Sequence, residues 1–479
     1  MHNSSSSSSV IRSLAGTEPA TPLGYYSWTL GQAARDPIYI LVVIYIFFPY
    51  FSNVVIGDPV RGQALVGYVN TTAGVIMALT VPFLGAIADK TGRLKPWLSC
   101  SVLVVSIAAF ALWSVTPDVL QQGTGLAPIL VVLIVMNVAF AYAEVFHNAM
   151  LPRIAPANKA GLISGLAFAL GNLGGLSLML LVLFAFALPG TVSLTWIADS
   201  PWFGIDQASH EQDRIVGPIA ALWLLLLTLP VLAFTPDTQR SALSIRESAL
   251  AGVGEVWRTI RKLKDYSNVA RYLLARMFFN DGMVGVLIFG GIYASGVFGW
   301  SSSELLIFGL CSSASAMFGA YFGGLLDDRL GSKRTLMIAV SASAVIFTGM
   351  LSVAPGQALF VLTLSTEPVW SLAFFSTPAE QVYFVANQIF AVFFVTGLSA
   401  SRTLMARISP PEMAAQFFAL YGLSGSVTAF LAPLMVATVT DFSGSAKSGM
   451  SALILLIALG ALLLVGVKET PSNAYAQGN

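Results

Sequence analysis

Six ionisable side chains stand inside stretches apolar enough to cross a bilayer: Arg35 and Asp36, Glu144 with His147, and Arg276 with Asp281. A charge at such depth costs roughly 2.5 kcal/mol or more on insertion scales, so it is kept where it meets a polar cavity or a partner. Glu144, His147 and Asn148 lie at i, i+3 and i+4, a spacing that predicts one shared helix face. Asp281 sits about ten residues, or about 15 Å at 1.5 Å per residue, into its stretch. The chemistry expected of Asp36, Glu144 and Asp281 is contact with a polar solute and, at one of them, uptake and release of a proton. Burial and a neighbouring Arg35 or Arg276 act in opposite directions on such a carboxylate, which suits a switchable group. The competing arrangement is permanent pairing, Arg35 with Asp36 or Glu144 and Arg276 with Asp281. His147 is expected to cap a neighbouring carbonyl, and Asn387 and Gln388 are further candidates for hydrogen bonds to solute.

Other chemistries lack their residues. The three histidines, His2, His147 and His210, are far apart, and neither an H-E-x-x-H nor a G-x-S-x-G pattern occurs. No metal site or cofactor is expected. Cys100 and Cys311 stand singly in apolar runs and read as small packing residues. A phosphate-cradling G-x-x-x-x-G-K-[S/T] loop is also missing, so nothing points to ATP coupling.

The elements that must position these groups follow from composition. Of the 479 residues 56% are hydrophobic and 10% charged, against roughly a quarter charged in soluble domains. The expected class is all-α, a polytopic membrane protein of twelve transmembrane helices in two six-helix halves. About 20 apolar residues make one span. The runs are Tyr25 to Ile56, Leu65 to Ile87, Pro96 to Val115, Ala127 to Leu151, Gly161 to Leu188 and Ile215 to Phe234, then Tyr272 to Gly296, Glu304 to Leu326, Leu336 to Val353, Val382 to Met405, Gln416 to Thr440 and Met450 to Val467. Ala358 to Phe375 is apolar but is interrupted by Glu367-Pro368, and reads as an insertion on the outer face. The divisions are thus a disordered tail over 1–23, halves over 24–234 and 272–468, a linker over 235–271 and a tail over 469–479.

With both termini cytoplasmic, 19 of the 24 lysines and arginines fall on the inner side, three (Arg61, Arg214, Lys447) in outer loops and two (Arg35, Arg276) within spans. Inverting the chain would reverse that bias, so a bacterial inner membrane with both ends inside is expected. In the linker, Leu250, Val253, Trp257, Ile260 and Leu263 recur at helical spacing beside Arg258, Arg261, Lys262 and Lys264, an amphipathic helix suited to anionic lipid. The net charge of +1 gives no field that would draw nucleic acid. A monomer is expected, because the Gly161-x-x-x-Gly165, Gly171-x-x-x-Gly175 and Gly319-x-x-x-Gly323 spacings suit packing inside one bundle.

Two segments repeat. After the second span the chain reads Gly85-Ala-Ile-Ala-Asp89-Lys-Thr-Gly92-Arg93-Leu-Lys95, and after the eighth Gly324-Leu-Leu-Asp-Asp328-Arg329-Leu-Gly331-Ser-Lys333-Arg334. The first Gly permits close packing, the Asp ends a span and the second Gly turns the chain beside a basic cluster. Asp89 and Asp328 are expected to meet the N-terminal ends of helices 11 and 5, as gates on the cytoplasmic face. Arg153-Ile-Ala-Pro156 likewise matches Arg407-Ile-Ser-Pro410. Two parallel halves are the build of rocker-type transporters.

This doubled loop in a twelve-span chain resembles the signature of the major facilitator superfamily. The phrases Pro82-Phe-Leu-Gly85, His147-Asn148-Ala-Met-Leu151-Pro152, Asn280-Asp281-Gly282 and Phe417-Phe-Ala-Leu-Tyr421-Gly-Leu-Ser-Gly425 look like the vacuolar amino-acid effluxers and their bacterial relatives. That family often has an Asp where Gln32 stands and a Tyr where His147 stands. The segments Gly31-Gln-Ala-Ala-Arg35-Asp36 and Lys95-Pro96-Trp97 are similar to the glycoside and hexuronide cation symporters, in which acids matching Asp36 and Glu144 hold sugar hydroxyls. The two carboxylates that bind the coupling cation there correspond to Met77 and Val81. The resemblance implies a secondary transporter of a small polar solute, an amino acid or similar metabolite, working by alternating access with proton coupling. A sugar symporter and a sensor on a transporter scaffold are the rival expectations.

Overall fold

The computed structural model describes residues 12–13, 17–91, 93–123, 125–156, 158–192, 195, 197–237, 261, 263–372, 374–409 and 414–469. Among these, twelve helices are long and apolar enough to cross a membrane. They are referred to as spans 1 to 12: Pro22–Val55, Pro59–Val81, Lys95–Ser114, Leu126–Ile154, Leu162–Ala187 and Glu211–Phe234, then Ser267–Phe298, Ser302–Leu330, Ser332–Leu351, Pro378–Ile408, Leu420–Ser443 and Ala446–Val465. The expected twelve are all present. The amphipathic linker falls outside the described residues.

Local sequence explains the ends. Thr377 and Ser301 form capping boxes with Glu380 and Glu304, and Ser445 caps span 12. Gly299 and Gly444 close spans 7 and 11 at φ +73 and +63, where a Cβ would be strained. Span 1 is irregular, with π-helical turns at Tyr39–Tyr45 and Phe51–Val55 around a break at Ile46.

Packing repeats from one half to the other. Span 1 lies against spans 5 and 6, span 4 against 2 and 3, and span 3 against 6; span 7 lies against 11 and 12, span 10 against 8 and 9, and span 9 against 12. Glycine sets the closest of these approaches. A Cβ on Gly319 would stand 2.3 Å from the Val392 carbonyl oxygen, and one on Gly323 would stand 3.0 Å from Thr396, so spans 8 and 10 touch backbone to backbone.

The halves meet through spans 1 with 7, 2 with 11 and 5 with 8. Their hydrogen bonds lie on the face away from the chain termini, the distal face. Gln63 donates to Thr440 Oγ1 at 2.8 Å and to the Ala446 carbonyl at 2.9 Å, Tyr68 meets Asp441 at 3.1 Å, Ser303 donates to the Ala187 carbonyl at 3.0 Å, and Ser302 donates to Asp213. On the terminal face Arg402 reaches across to the Phe168 ring at 5.6 Å, with both residues exposed. The seam is thus sealed by hydrogen bonds distally. The stretch read as an insertion is one: Gln357–Ala358 and Leu362–Thr363 pair as a short antiparallel hairpin.

Candidate functional site

Arg35 is the centre of the polar cluster in the first half. It is buried at 4% exposure, and its Nη2 donates to Gln32 Oε1 at 2.8 Å while lying 3.5 Å from Asp36 and 3.7 Å from Glu144. Gln32 completes the ring by donating to both Asp36 oxygens, at 3.0 and 2.9 Å. One guanidinium therefore serves two carboxylates, and the second of these, Glu144, keeps 47% of its side chain exposed. Phe140 packs beneath: its ring centre is 5.6 Å from the guanidinium and 5.6 Å from the Tyr39 ring. Tyr39 lies within electrostatic reach of Glu144 and of Asp281, which belongs to the other half. It escaped the sequence reading, although its i+4 spacing from Arg35 was the available signal. Gly171 of span 5 leaves the room, because a Cβ there would stand 2.2 Å from Asp36 Oδ2.

His147 corrects the expectation of one shared face. Asn148 and Glu144 are exposed, whereas His147 turns into the bundle, where its Nε2 is 2.8 Å from the Trp28 carbonyl and its own carbonyl accepts from Trp28 Nε1 at 2.7 Å. The two rings stack at 4.5 Å, and Gly31 lets them approach, since a Cβ would be 2.3 Å from Nε2. A carbonyl partner makes Nε2 the protonated nitrogen, so the ring is a neutral brace between spans 1 and 4. Arg35 and His147 both line a cavity between spans 1, 3, 4 and 6, where Arg35 Nε and Nη1 and His147 Nδ1 have no protein partner.

In the second half the competing arrangement, a pairing of Arg276 with Asp281, is not found. Five residues turn an α-helix through about 140°, which aims the two groups apart. Both reach span 11, which is broken: one helix ends at Val427 and the next begins at Leu431. Arg276 Nη1 donates to the Tyr421 carbonyl at 2.8 Å and to Ser424 Oγ at 2.7 Å, with the guanidinium 3.7 Å from the Tyr421 ring centre. Asp281 Oδ2 accepts from the Ala432 amide at 2.8 Å. Span 7 thus holds both sides of the break, a cation on Tyr421 and Ser424 in the last two turns of one piece and a carboxylate on the Ala432 amide in the first turn of the next. The outer piece, Leu431–Ser443, makes the larger part of the contact with span 2 at the seam, where Gly67 comes close to Ala437, while Gly74 comes close to Phe430 in the break.

Asn387 and Gln388 are half-buried between spans 8 and 10. Asn387 donates to Ser312 Oγ at 2.7 Å and Ser315 donates to Gln388 Oε1 at 3.1 Å. Among the described residues no three His, Cys, Asp or Glu side chains gather as a metal ion would need.

On the terminal face, Gly92 and the side chains at Gly85 and Asp89 fall outside the described residues. Arg93 is exposed, as are Asp328, Arg329 and Arg334 in the second copy. Among the described residues no hydrogen bond joins Asp328 to span 5. Its neighbour Asp327 is buried instead, accepting from Ser332 Oγ at 2.6 Å and lying 3.6 Å from Arg407, because one helical step turns the carboxylate from solvent toward spans 9 and 10. Gly324 has open space around it, and Gly331 turns the chain at φ +84.

Both copies share a lock absent from the sequence reading. Lys95 Nζ donates to the Leu232 carbonyl at the end of span 6 (2.8 Å), and Lys333 Nζ to the Val465 carbonyl at the end of span 12 (2.9 Å). In return, Asp237 accepts from the amides of Leu94 and Lys95 (2.9 and 3.4 Å), and Glu469 from those of Ser332 and Lys333 (3.1 and 2.9 Å). Each pair ties spans 3 and 6, or 9 and 12, by complementing helix ends of opposite polarity. Arg407 joins the second lock at 2.8 Å from Glu469. Although burial works against its charge, the two amides and Arg407 hold the Glu469 carboxyl below the usual glutamate range. The available signal was an acid beside Thr-Pro after spans 6 and 12, in Thr235-Pro-Asp237 and Glu469-Thr-Pro471.

Comparison with known proteins gives one consistent fold. Residues 53–476 match the family described as vacuole effluxer Atg22 like. An uncharacterised MFS-type transporter of Bacillus subtilis, YxiO, is 23% identical over 457 residues, 94% of this chain and 96% of that protein. Among solved structures, a D-xylose–proton symporter superposes with a TM-score of 0.65 at 12% identity, covering 94% of this chain and 97% of its own. The nucleoside transporter NupG does so with 0.60 at 14% identity, covering 96% and 100%.

Proposed function

The chain belongs to the Atg22-like vacuole effluxer family and is a transporter of the major facilitator type, and from that premise we propose that it moves an amino acid or similar small polar solute by proton-coupled alternating access. The observation that carries this reading is the bridge of Arg35 to Asp36 and Glu144, with Glu144 half-exposed. An exposed carboxylate that shares its cation is under-neutralised. It takes the ammonium group of a solute, while Arg35, with two donors unused inside the protein, can follow a solute carboxylate. A zwitterion fits both signs at once. Protonation of Asp36, Glu144 or Asp281 changes this balance, and solute and proton then shift the population between states open to either side.

The terminal face is taken as cytoplasmic, on the strength of the basic residues it carries, and the membrane as a bacterial inner membrane. On this reading the hydrogen bonds of the distal seam close the protein to the outside. The test is flux in proteoliposomes for amino acids, sugars and nucleosides under an imposed pH gradient. Accumulation of an amino acid that Glu144→Gln and Asp36→Asn abolish, with the fold intact, supports the reading. Flux of sugars or nucleosides alone would replace the solute, and flux insensitive to the gradient would remove the proton.

A further inference from the structure

The segment between spans 9 and 10 carries a feature that transport does not use. Its base is firmly seated: Ala358 is buried, the buried Phe375 ring lies 4.9 Å from Trp300 and 4.6 Å from Phe384, and the Phe375 amide donates to Glu304 at 3.4 Å. Its tip is the reverse. Leu359, Phe360, Val361 and Leu362 are all exposed, Val361 at 80%, and Trp370 and Leu372 stand exposed beside them. Leu359 and Phe360 also adopt left-handed φ of +48 and +63. Tight hairpins in water fill such positions with Asn, Asp or Gly, because a bulky residue there costs roughly 1–2 kcal/mol. Here the chain accepts both the backbone cost and the exposure of four large apolar side chains.

We propose that this hairpin is a membrane anchor, its apolar tip lying in the headgroup and upper acyl region of the distal leaflet. Three observations select lipid as the occupant. The tip packs on the start of span 12 in the second half, where Lys447 places its Nζ 4.7 Å from the Phe360 ring. Spans 9 and 12 on that flank present exposed Val345 and Leu455, so the tip continues an apolar belt that already faces lipid. Between residues 354 and 377 the only charge is Glu367. A nearly uncharged hairpin with an exposed Trp whose indole N–H is satisfied, by the Phe374 carbonyl at 2.9 Å, and a Lys from span 12 beside its tip has the make-up of an interfacial segment. The anchor holds the second half at a fixed depth and tilt, giving the first half a reference against which to rock.

The test uses the full chain with Cys100 and Cys311 replaced by Ser, carrying an NBD label at Val361→Cys, in proteoliposomes of phosphatidylethanolamine and phosphatidylglycerol. Gln121→Cys, in the exposed turn between spans 3 and 4, is the water-facing control. The expected result is a blue-shifted emission at 361, quenched several-fold more by lipid bearing a shallow doxyl group than at 121, and protected from iodide. Leu359→Cys should read the same and serves if the first variant folds poorly. Iodide quenching equal to that at 121 with no response to doxyl lipid would overturn the proposal. So would an emission that reverts when the protein is diluted in lipid, which would make a second copy the occupant.

Discussion

Asp281 allows the roles of charge and cap to be separated by two substitutions. Its carboxylate accepts one hydrogen bond, from the Ala432 amide that opens the outer piece of span 11. In Asp281→Asn the amide oxygen can still accept, so the cap persists while the charge and the proton site vanish. In Asp281→Ala the buried amide loses its partner. Loss of a cap costs about 0.5–2 kcal/mol and an unsatisfied buried donor about 1–3 kcal/mol. Taking about 2 kcal/mol, at 1.4 kcal/mol per tenfold, the state that needs this cap loses about 30-fold in population. Because the capped piece carries Thr440, which takes Gln63 across the seam, the loss should loosen the distal closure. The assay is double electron–electron resonance between spin labels at Arg61→Cys and Phe442→Cys, both exposed at the distal ends of spans 2 and 11, with Cys100 and Cys311 replaced by Ser. The parent should give one short distance, Asp281→Asn the same distance, and Asp281→Ala a second, longer population. In flux measurements Asp281→Asn should retain solute exchange and lose accumulation driven by a pH gradient. An unchanged distance distribution and melting temperature in Asp281→Ala would refute the capping argument, and full pH-driven accumulation in Asp281→Asn would refute the proton argument.

Further outcomes follow from the same geometry. Glu144→Gln should weaken solute binding at least tenfold while leaving the melting temperature near that of the parent, since half of this side chain is exposed; equal affinity in a thermal-shift titration would exclude it from the site. Gly171→Ala places a methyl 2.2 Å from Asp36 Oδ2, so Asp36 must move, with a cost of about 1–3 kcal/mol in stability and a loss of transport larger than that of Gly165→Ala, where space is open. His147→Phe keeps the stack on Trp28 and loses the bond to its carbonyl; it should cost about 1–3 kcal/mol in stability yet leave the pH profile of flux unmoved, whereas a shifted profile would make the histidine a titrating group. Glu469 is held below the ordinary glutamate value of 4.5, so its lock stabilises the chain fully above that value and is lost as pH falls through the lower folded value. Glu469→Gln should therefore melt lower at neutral pH and converge with the parent in acid, and a constant difference across that window would contradict the assignment.

What the sequence could disclose was set by what depends on local composition. Twelve apolar runs and their caps are local, and each span emerged within a few residues of its expected place. The cluster of Arg35, Asp36 and Glu144 was equally legible, because a charge inside a span must find company. Rotation about a helix axis was harder. His147 and Asn148 differ by one step, yet one braces Trp28 and the other is exposed, and Asp327 and Asp328 divide in the same way. The break in span 11 was missed, although Pro433, in the first turn of the outer piece, lacks the N–H that would bond to the Ala429 carbonyl and is a local cause of it. Contacts from span 7 flank the break, and those no local pattern reports.

That break bears on how two halves of one design came to differ. Spans 1 and 7 pack alike, on 5 and 6 in one half and on 11 and 12 in the other, and each carries a buried arginine. In span 1 the arginine turns to side-chain carboxylates and leaves one of them exposed. In span 7 it turns to a backbone carbonyl and a serine, and the acid five residues on turns to a backbone amide. On the proposed reading the first arrangement offers charge to a solute, while the second turns its charge to span 11 on either side of the break. Span 11 supplies the distal seam against span 2 and the Tyr39–Tyr45 turn packs on span 7, so on the proposed reading a solute held in the first half reaches the clamp in the second through Tyr39. Tyr39→Phe is the substitution that tests this link: it should leave solute affinity within a fewfold of the parent and slow exchange, and an unaltered exchange rate would mean that the two clusters act without it.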